Sequence, residues 1–446
     1  MTSAQKADEI IARHPFTAQF LGHSNQRASD GLPQWWRSFR RSASQQLVGL
    51  DVPTTKDEDW RFVNLKPWLG REFQWKPSSP TEIDADLLAS WRLPECEAST
   101  LVFVDGRFNA ELSEMSGIDE AVEVVPFSGL DELDDAEAVQ EYLSLSEFWE
   151  DDVFYQINGA NFEDGAVILV PRNTEMETPI HLLFVATGGE ELALHPRNIV
   201  VTGESAKVTV IEEHRGVEGV YFNNVVDQIS LGANSKLRHI KVQRDSHQAF
   251  HMARNVITMG RDANYESTAI NLGAGLSRND AYARFEGTNI ECTLDGLVYI
   301  GGKQVSDTHT VMDHALPDST SYQLHKTIVD DRAHSVFNGK IFVRQDAQRI
   351  DSNQLNQNLL LSRRGRCDTK PQLEIFADDV VCSHGATVGQ LQEEQLFYLM
   401  ARGLEEDRAR SLLTYAFAAE VLEDIEVASL RNRLEALLMA QTAGEE

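Results

Sequence analysis

The sequence is poor in cysteine and in long apolar runs, and each shortage excludes a class of protein. Only four of the 446 residues are cysteine. No two of them form a CxxC pair, so we expect no disulfide framework and a reducing compartment. The longest apolar runs, such as residues 166–170, have five residues, whereas a membrane span needs about 20. Residues 1–20 contain no continuous apolar stretch, so we expect no secretory signal in them and a cytoplasmic protein.

Basic residues are also scarce. The chain has 70 acidic and 40 basic side chains, which gives a formal net charge of −30. Such a surface repels nucleic-acid phosphates and anionic lipid headgroups, so we expect neither nucleic acid nor membrane among its partners. The apolar fraction of 42% is ordinary for a folded protein.

Nucleotide-binding motifs are missing. Residues 296–301 have the glycine spacing of a P-loop, but Gly302 stands where that loop needs lysine. There is no GxSxG elbow and no HExxH motif. The chain therefore shows no readable ATP-driven or NAD-dependent chemistry of its own.

The composition divides the chain into three regions. Residues 1–150 mix helical and irregular signals. Residues 151–390 consist of short β-branched runs separated by glycine, asparagine and aspartate, which indicates an all-β domain. Residues 391–446 carry apolar residues at helical spacing and predict a small bundle of helices. Its core would be thin, so it must pack on the β domain or on a partner.

A repeat runs through the β region. The pattern is Gly, any residue, Ser/Asn/Asp, any residue, a polar residue and an apolar one, and it begins at Gly203, Gly232, Gly260 and Gly287. The steps are 232 − 203 = 29, 260 − 232 = 28 and 287 − 260 = 27 residues. Units of this length cannot bury their own apolar faces, so they stack. We predict tight turns at these positions and a β-helix, with a β-sandwich of regular hairpins as the alternative.

The most specific segment is residues 370–391, in which Cys382 and His384 stand two apart. On a strand both side chains face one side, with Cα atoms about 6–7 Å apart. A thiolate beside an imidazole suits iron, zinc or persulfide chemistry, but two ligands do not complete a metal site. Missing ligands would therefore come from another chain. The ordinary alternative is a buried cysteine beside a hydrogen-bonded histidine, and the spacing does not rank Cys367 against Cys382.

A second cluster comprises Asp307, His309, Asp313 and His314. Carboxylates on β-helices can serve polysaccharide cleavage. This cluster is therefore the basis of an alternative function, a polysaccharide lyase or hydrolase. The lack of a secretory signal and the helical tail argue against it.

The chain resembles the SufB/SufD family of scaffold proteins for iron–sulfur cluster assembly. The resemblance extends along most of the chain and is densest from residue 334 to 421. The matching stretches are DEDWRF (57–62), HSVFNGKIFV (334–343), IDSNQLNQNLLLS (350–362), DTKPQLEIFADDVVCSHGATVG (368–389), EEQLFYLMARGL (393–404) and YAFAAEV (415–421). The CSHGATVG segment resembles the SufD branch, whereas SufB proteins carry a glutamate-bearing segment there and more cysteines.

The resemblance implies a fold, a role and a site. The fold is a mainly β protein with a right-handed parallel β-helix at residues 151–390, an N-terminal helical or mixed region at 1–150 and a C-terminal helical domain at 391–446. The role is a non-catalytic scaffold subunit that pairs with a SufB-like homologue and binds a SufC-like ABC ATPase through residues 391–425. A transient cluster or iron would be shared with SufB at the interface, with His384 as a candidate ligand and Cys382 beside it. The chain alone would hold no cofactor, and homodimerisation in isolation stays open.

Overall fold

The computed structural model of the protein describes residues 15–26, 32–77, 83–133, 139–143 and 149–443. The N-terminal helices are α1 (Pro15–Gln26), α2 (Gln34–Gly49), α3 (Lys66–Leu69), α4 (Ala85–Trp91), α5 (Val139–Leu143) and α6 (Val153–Asn161). The C-terminal helices are α7 (Glu393–Ala401), α8 (Glu406–Leu422) and α9 (Ala428–Ala443). None of the described helices is long and apolar enough to cross a membrane.

Two long sheets lie between these helical regions. In spatial order, sheet 1 contains β2 (Arg107–Phe108), β1 (Thr100–Val104), β5 (Ile180–Ala186), β8 (Lys207–Gly216), β10 (Lys236–Arg244), β12 (Asn264–Asn271), β14 (Glu291–Ile300), β16 (Thr320–Val329), β18 (Ile350–Leu360) and β20 (Val380–Gly389). Sheet 2 contains β19 (Arg366–Ile375), β17 (His334–Val343), β15 (Val305–His314), β13 (Leu276–Phe285), β11 (Phe250–Met259), β9 (Phe222–Leu231), β7 (Arg197–Thr202), β4 (Ala166–Val170) and β3 (Glu123–Pro126), with β6 (Ala193–Leu194) beside β9.

From β7 onward the chain alternates between the two sheets, and each strand pairs in parallel with the strand two positions later in sequence. This is a parallel β-solenoid, which confirms the prediction from the repeat and the resemblance. The alternative β-sandwich is wrong, because hairpins would make neighbouring strands antiparallel. The antiparallel pairs described are β1 with β2 and β3 with β4, both near the N-terminal end.

The repeated motif forms the turns between sheet 2 and sheet 1. Its third residue adopts a left-handed conformation in every copy, with φ of 59° at Ser205, 56° at Asn234, 61° at Asp262 and 58° at Asn289. Asn and Asp tolerate this region better than other side chains, which explains the Ser/Asn/Asp pattern. The glycines allow neighbouring turns to pack closely. A Cβ on Gly232 would lie only 2.7 Å from the carbonyl oxygen of Thr202, the last residue of β7.

The outer faces of the sheets are covered by helices. Aliphatic side chains of sheet 1, such as Ile240 and Leu297, pack against α8 and α9. Phenylalanines of sheet 2 pack against α1 and α6. The C-terminal bundle also docks through Arg433, whose guanidinium lies 2.6 Å from the buried Glu213 carboxylate. The expectation that the bundle packs on the β domain is confirmed.

Candidate functional site

The solenoid ends in an open turn. Among the described residues, β20 and β19 are each paired on one side only, so each leaves an unpaired strand edge. Most residues of β20 are exposed and the rest are half-buried. Unpaired backbone donors and acceptors on a ten-residue strand favour pairing with another chain. The edges of β19 and β20 are therefore available for pairing with another chain.

Cys382 and His384 lie on β20 and face the interior side of the solenoid. Cys382 packs against the central apolar core, and strand alternation places His384 on the same side. Their register partners on β18 are Ser352 and Gln354, respectively. The structure thus places the two predicted residues together on one face, at the open end.

His384 is exposed, and no described side chain or backbone group forms a hydrogen bond or ion pair with its ring. Its imidazole can therefore bind a metal ion without breaking an existing contact. Burial, and then the charge of Asp351, raise the pKa of the Cys382 thiol. The thiol is protonated at neutral pH, so a metal ion bound there must displace its proton.

Cys367 lies elsewhere. It is on β19, in register with Ser335, and packs with Val298 and Val329 in an apolar cluster separate from the one that Cys382 joins. Burial, followed by the charge of Asp368, raises the pKa of its thiol to about 12. Cys382, and not Cys367, shares a strand face with His384. No group of three or more His, Cys, Asp or Glu side chains in the described part of the chain converges as a metal site.

The Asp307–His314 cluster does not converge. Asp307 and His309 lie on the outer face of sheet 2, where Arg278 bonds Asp307 Oδ2 at 2.9 Å and the carbonyl of Asp59 at 2.7 Å. Asp313 is held by Tyr282 and Arg344. His314 points to the opposite face, into the interior. Asp313 and His314 are consecutive on the strand and therefore point to opposite faces of the sheet. The four side chains of the cluster cannot act on one substrate.

The interior beneath the open end is polar. His314 Nε2 lies 3.0 Å from Ser321 Oγ, and Ser321 Oγ lies 2.6 Å from Ser352 Oγ. Burial lowers the pKa of His314 to about 3, so its ring is neutral. This chain of hydroxyl groups ends at Ser352 on β18, which is in register with Cys382 on the neighbouring strand β20. No motif in the sequence predicted this chain of hydroxyl groups, although Ser321 and Ser352 stand 352 − 321 = 31 residues apart, close to the length of one turn.

A charged network that no sequence motif predicted lies deeper in the interior. Lys241 Nζ lies 2.9 Å from Glu212 and 2.6 Å from Asp227. His214 and His239 contact the same Glu212 carboxylate at 2.5 and 3.2 Å. Because the Lys241 ammonium already lies between the two carboxylates and bonds both, the network is a structural ion cluster and not a vacant cation site.

Helix α7 presents an unpaired apolar face. Phe397 is 75% exposed and Tyr398 57%, and Met400 is exposed beside them. Large aromatic side chains of a stable monomer are rarely so open, so this face indicates a protein partner. It lies within the segment 391–425 that the resemblance assigned to ATPase binding.

Comparisons with known proteins match most of the chain. The family model for the SUF system FeS cluster assembly SufBD core domain matches residues 184–417, and that for the SufBD protein N-terminal region matches residues 18–182. The chain is 37% identical over 413 residues to an iron–sulfur cluster assembly SufBD family protein of Synechocystis, with 90% of each chain covered. It is 32% identical over 426 residues to the iron–sulfur cluster assembly protein SufD of Escherichia coli, covering 91% of this chain and 96% of that one.

Proposed function

We propose, because this chain belongs to the SufBD family of iron–sulfur cluster assembly proteins, that it is a SufD-type scaffold subunit. It catalyses no reaction by itself. The observation that carries the proposal is the Cys382–His384 pair on the open last strand. These two suitable ligands share the interior side of β20, and no third His, Cys, Asp or Glu of the described residues converges on them.

The partner at this end is a SufB-like homologue. The unpaired edges of β19 and β20 supply backbone groups for β-strand addition. Apolar side chains beside them, Phe376 and Val381, are 59% and 67% exposed and would be buried on association. The two ligands here leave a metal site incomplete, and a heterodimer is proposed because the SufBD family comprises both SufB-type and SufD-type proteins.

Iron, or a nascent iron–sulfur cluster, is the cargo at this interface. Cysteine sulfur and imidazole nitrogen are ligands that iron accepts. His384 would bind the metal, and Cys382 would line the site or bind beside it. The remaining ligands come from the SufB-like partner.

A SufC-like ABC ATPase binds the C-terminal helices. The exposed face of α7, formed by Phe397, Tyr398 and Met400, supplies the apolar contact. ATP hydrolysis in that subunit supplies the energy that this chain cannot. The four cysteines are free thiols, which suits assembly in the reducing cytosol.

The test is co-expression of the chain with its SufB-like and SufC-like partners, followed by anaerobic purification and measurement of cluster content. We expect His384→Ala to retain the partners and to lower the cluster per complex about tenfold or more, because a ligand is removed. His247→Ala is the matched control, since His247 is exposed in a distant turn. Full cluster content in His384→Ala, or failure of the wild-type chain to recover either partner, would contradict the proposal.

A further inference from the structure

Gln354 is fully buried in the interior beneath the open end. Among the described residues, neither its side-chain Nε2 nor its Oε1 has a hydrogen-bond partner. A buried amide without hydrogen-bond partners costs free energy, and native proteins rarely keep one unless it bonds water, an ion or a ligand. Its Cα is paired in register with that of His384 on the neighbouring strand, so the two side chains point to the same interior side of the solenoid.

The amide reaches across the interior because the opposite strand carries a glycine. A Cβ on Gly339 of β17 would lie 2.3 Å from Gln354 Nε2. Any other residue at position 339 would therefore displace the amide. The Gln354 amide, which extends from sheet 1, thus fills the space that Gly339 leaves on sheet 2, in the interior beneath the open end.

Gln323 provides the internal comparison. It stands in register with Gln354, one turn deeper, and is equally buried. Its Oε1 accepts a hydrogen bond of 2.6 Å from Thr310 Oγ1, although its Nε2 is also unpaired. Gln323 is therefore held by a hydrogen bond inside the solenoid, whereas the Gln354 amide, nearer the open end, has no such partner among the described residues.

We propose that Gln354 is a positioning residue for the iron that His384 would bind, and that its Nε2–H donates a hydrogen bond to a sulfide or water ligand of that iron. The inference rests on the proposed function of His384. Hydrogen bonds to the sulfides of a cluster stabilise it and change its reduction potential. A neutral amide supplies this bond without adding charge to the site.

The test compares Gln354→Met with Gln323→Met in the co-purified complex, using Co(II) as the spectroscopic probe. Met matches glutamine in length and needs no partner. We expect Gln354→Met to weaken Co(II) binding about tenfold and to raise the Tm of the full chain by about 1–3 °C, because the unpaired amide is removed. Gln323→Met should lower the Tm, because it leaves the Thr310 hydroxyl without its acceptor, and should leave Co(II) binding unchanged.

Unchanged Co(II) affinity and spectrum in Gln354→Met would overturn the inference, whatever the Tm. A Tm fall equal to that of Gln323→Met would also overturn it, because the amide would then be held by a structural water. If Gln354→Met does not fold, Gln354→Asn withdraws the amide by one methylene, and the same loss of Co(II) affinity is expected. His384→Ala separates the two proposals: if it too binds Co(II) like the wild type, the function proposed for His384 has failed.

Discussion

Lys241 lies at the centre of the charged network in the solenoid interior, and its replacement by Met should destabilise the protein strongly. The ammonium bonds Glu212, Asp227 and the Asn255 amide oxygen, the last at 3.2 Å. Each hydrogen bond to a charged group contributes about 1.5–3 kcal/mol. The methionine offsets part of that loss by apolar burial. Breaking a buried pair from one side generally costs about 3–5 kcal/mol, and we expect a loss in this range.

The two carboxylates differ, which gives the loss a pH dependence. Burial alone would raise the pKa of Glu212, but Lys241 and hydrogen bonds from His214 and His239 hold it well below its usual range. Burial, and then the charge of Glu212, raise the pKa of Asp227 despite Lys241. Without the ammonium, Asp227 should take up a proton first. The loss of unfolding free energy in Lys241→Met relative to the wild type should therefore shrink as the pH falls. The slope is about 1.4 kcal/mol per pH unit over the range in which Asp227 is protonated in the folded variant but not in the folded wild type.

The assay is urea denaturation of the wild type and the variant at pH 8 and pH 5, which yields the free energy of unfolding. Lys207→Met is the matched control, because Lys207 forms a 3.2 Å bridge with Glu175 on the surface, where both side chains are more than half exposed. An exposed pair contributes about 0–1 kcal/mol. Equal losses in the two variants, or a Lys241→Met deficit that grows at low pH, would refute the reasoning.

Two further predictions concern the turns and the C-terminal bundle. Asn234→Ala should lower the free energy of unfolding by about 1–2 kcal/mol more than Asn234→Gly in the same urea titration, because φ is 56° at this position and the Cβ of Ala disfavours this region. Both variants lose the hydrogen bond from Asn234 Nδ2 to Ser205 Oγ, so equal effects of the two would contradict this. Phe397→Asp should weaken ATPase binding in a pull-down about tenfold or more while leaving the Tm unchanged, since the ring is 75% exposed; Glu394→Gln, on the same helix, is the control, and full ATPase retention by Phe397→Asp would contradict the assignment.

The sequence predicted the solenoid well because its turns obey a local rule. In the four repeats the left-handed residue is Ser, Asn or Asp, and Asn234, Asp262 and Asn289 recur at a nearly constant step. Asp318 continues the series with φ 64° although its turn lacks the glycine. The pairing of Cys382 with His384 was equally local, since two residues two apart on a strand share a face.

The interior could not be predicted in the same way. A single residue step decides whether a side chain lies inside or outside, so His309 and His314 fall on opposite faces. The Glu212–Lys241–Asp227 cluster joins residues of three strands, which only the stacked fold brings together. The importance of Gln354 depends on what its amide fails to contact, and no pattern of residue types reveals that.

The stacked turns also restrict how the length of this chain can change. Strands of neighbouring turns are about 4.8 Å apart, and side chains such as Gln323 and Gln354 stay aligned in columns only if each turn keeps its register. One residue added within a strand would exchange its inner and outer faces. Adding a complete turn would preserve every column. The separation between His384 and the C-terminal bundle docked on sheet 1 can therefore be adjusted only in discrete steps of about one strand spacing.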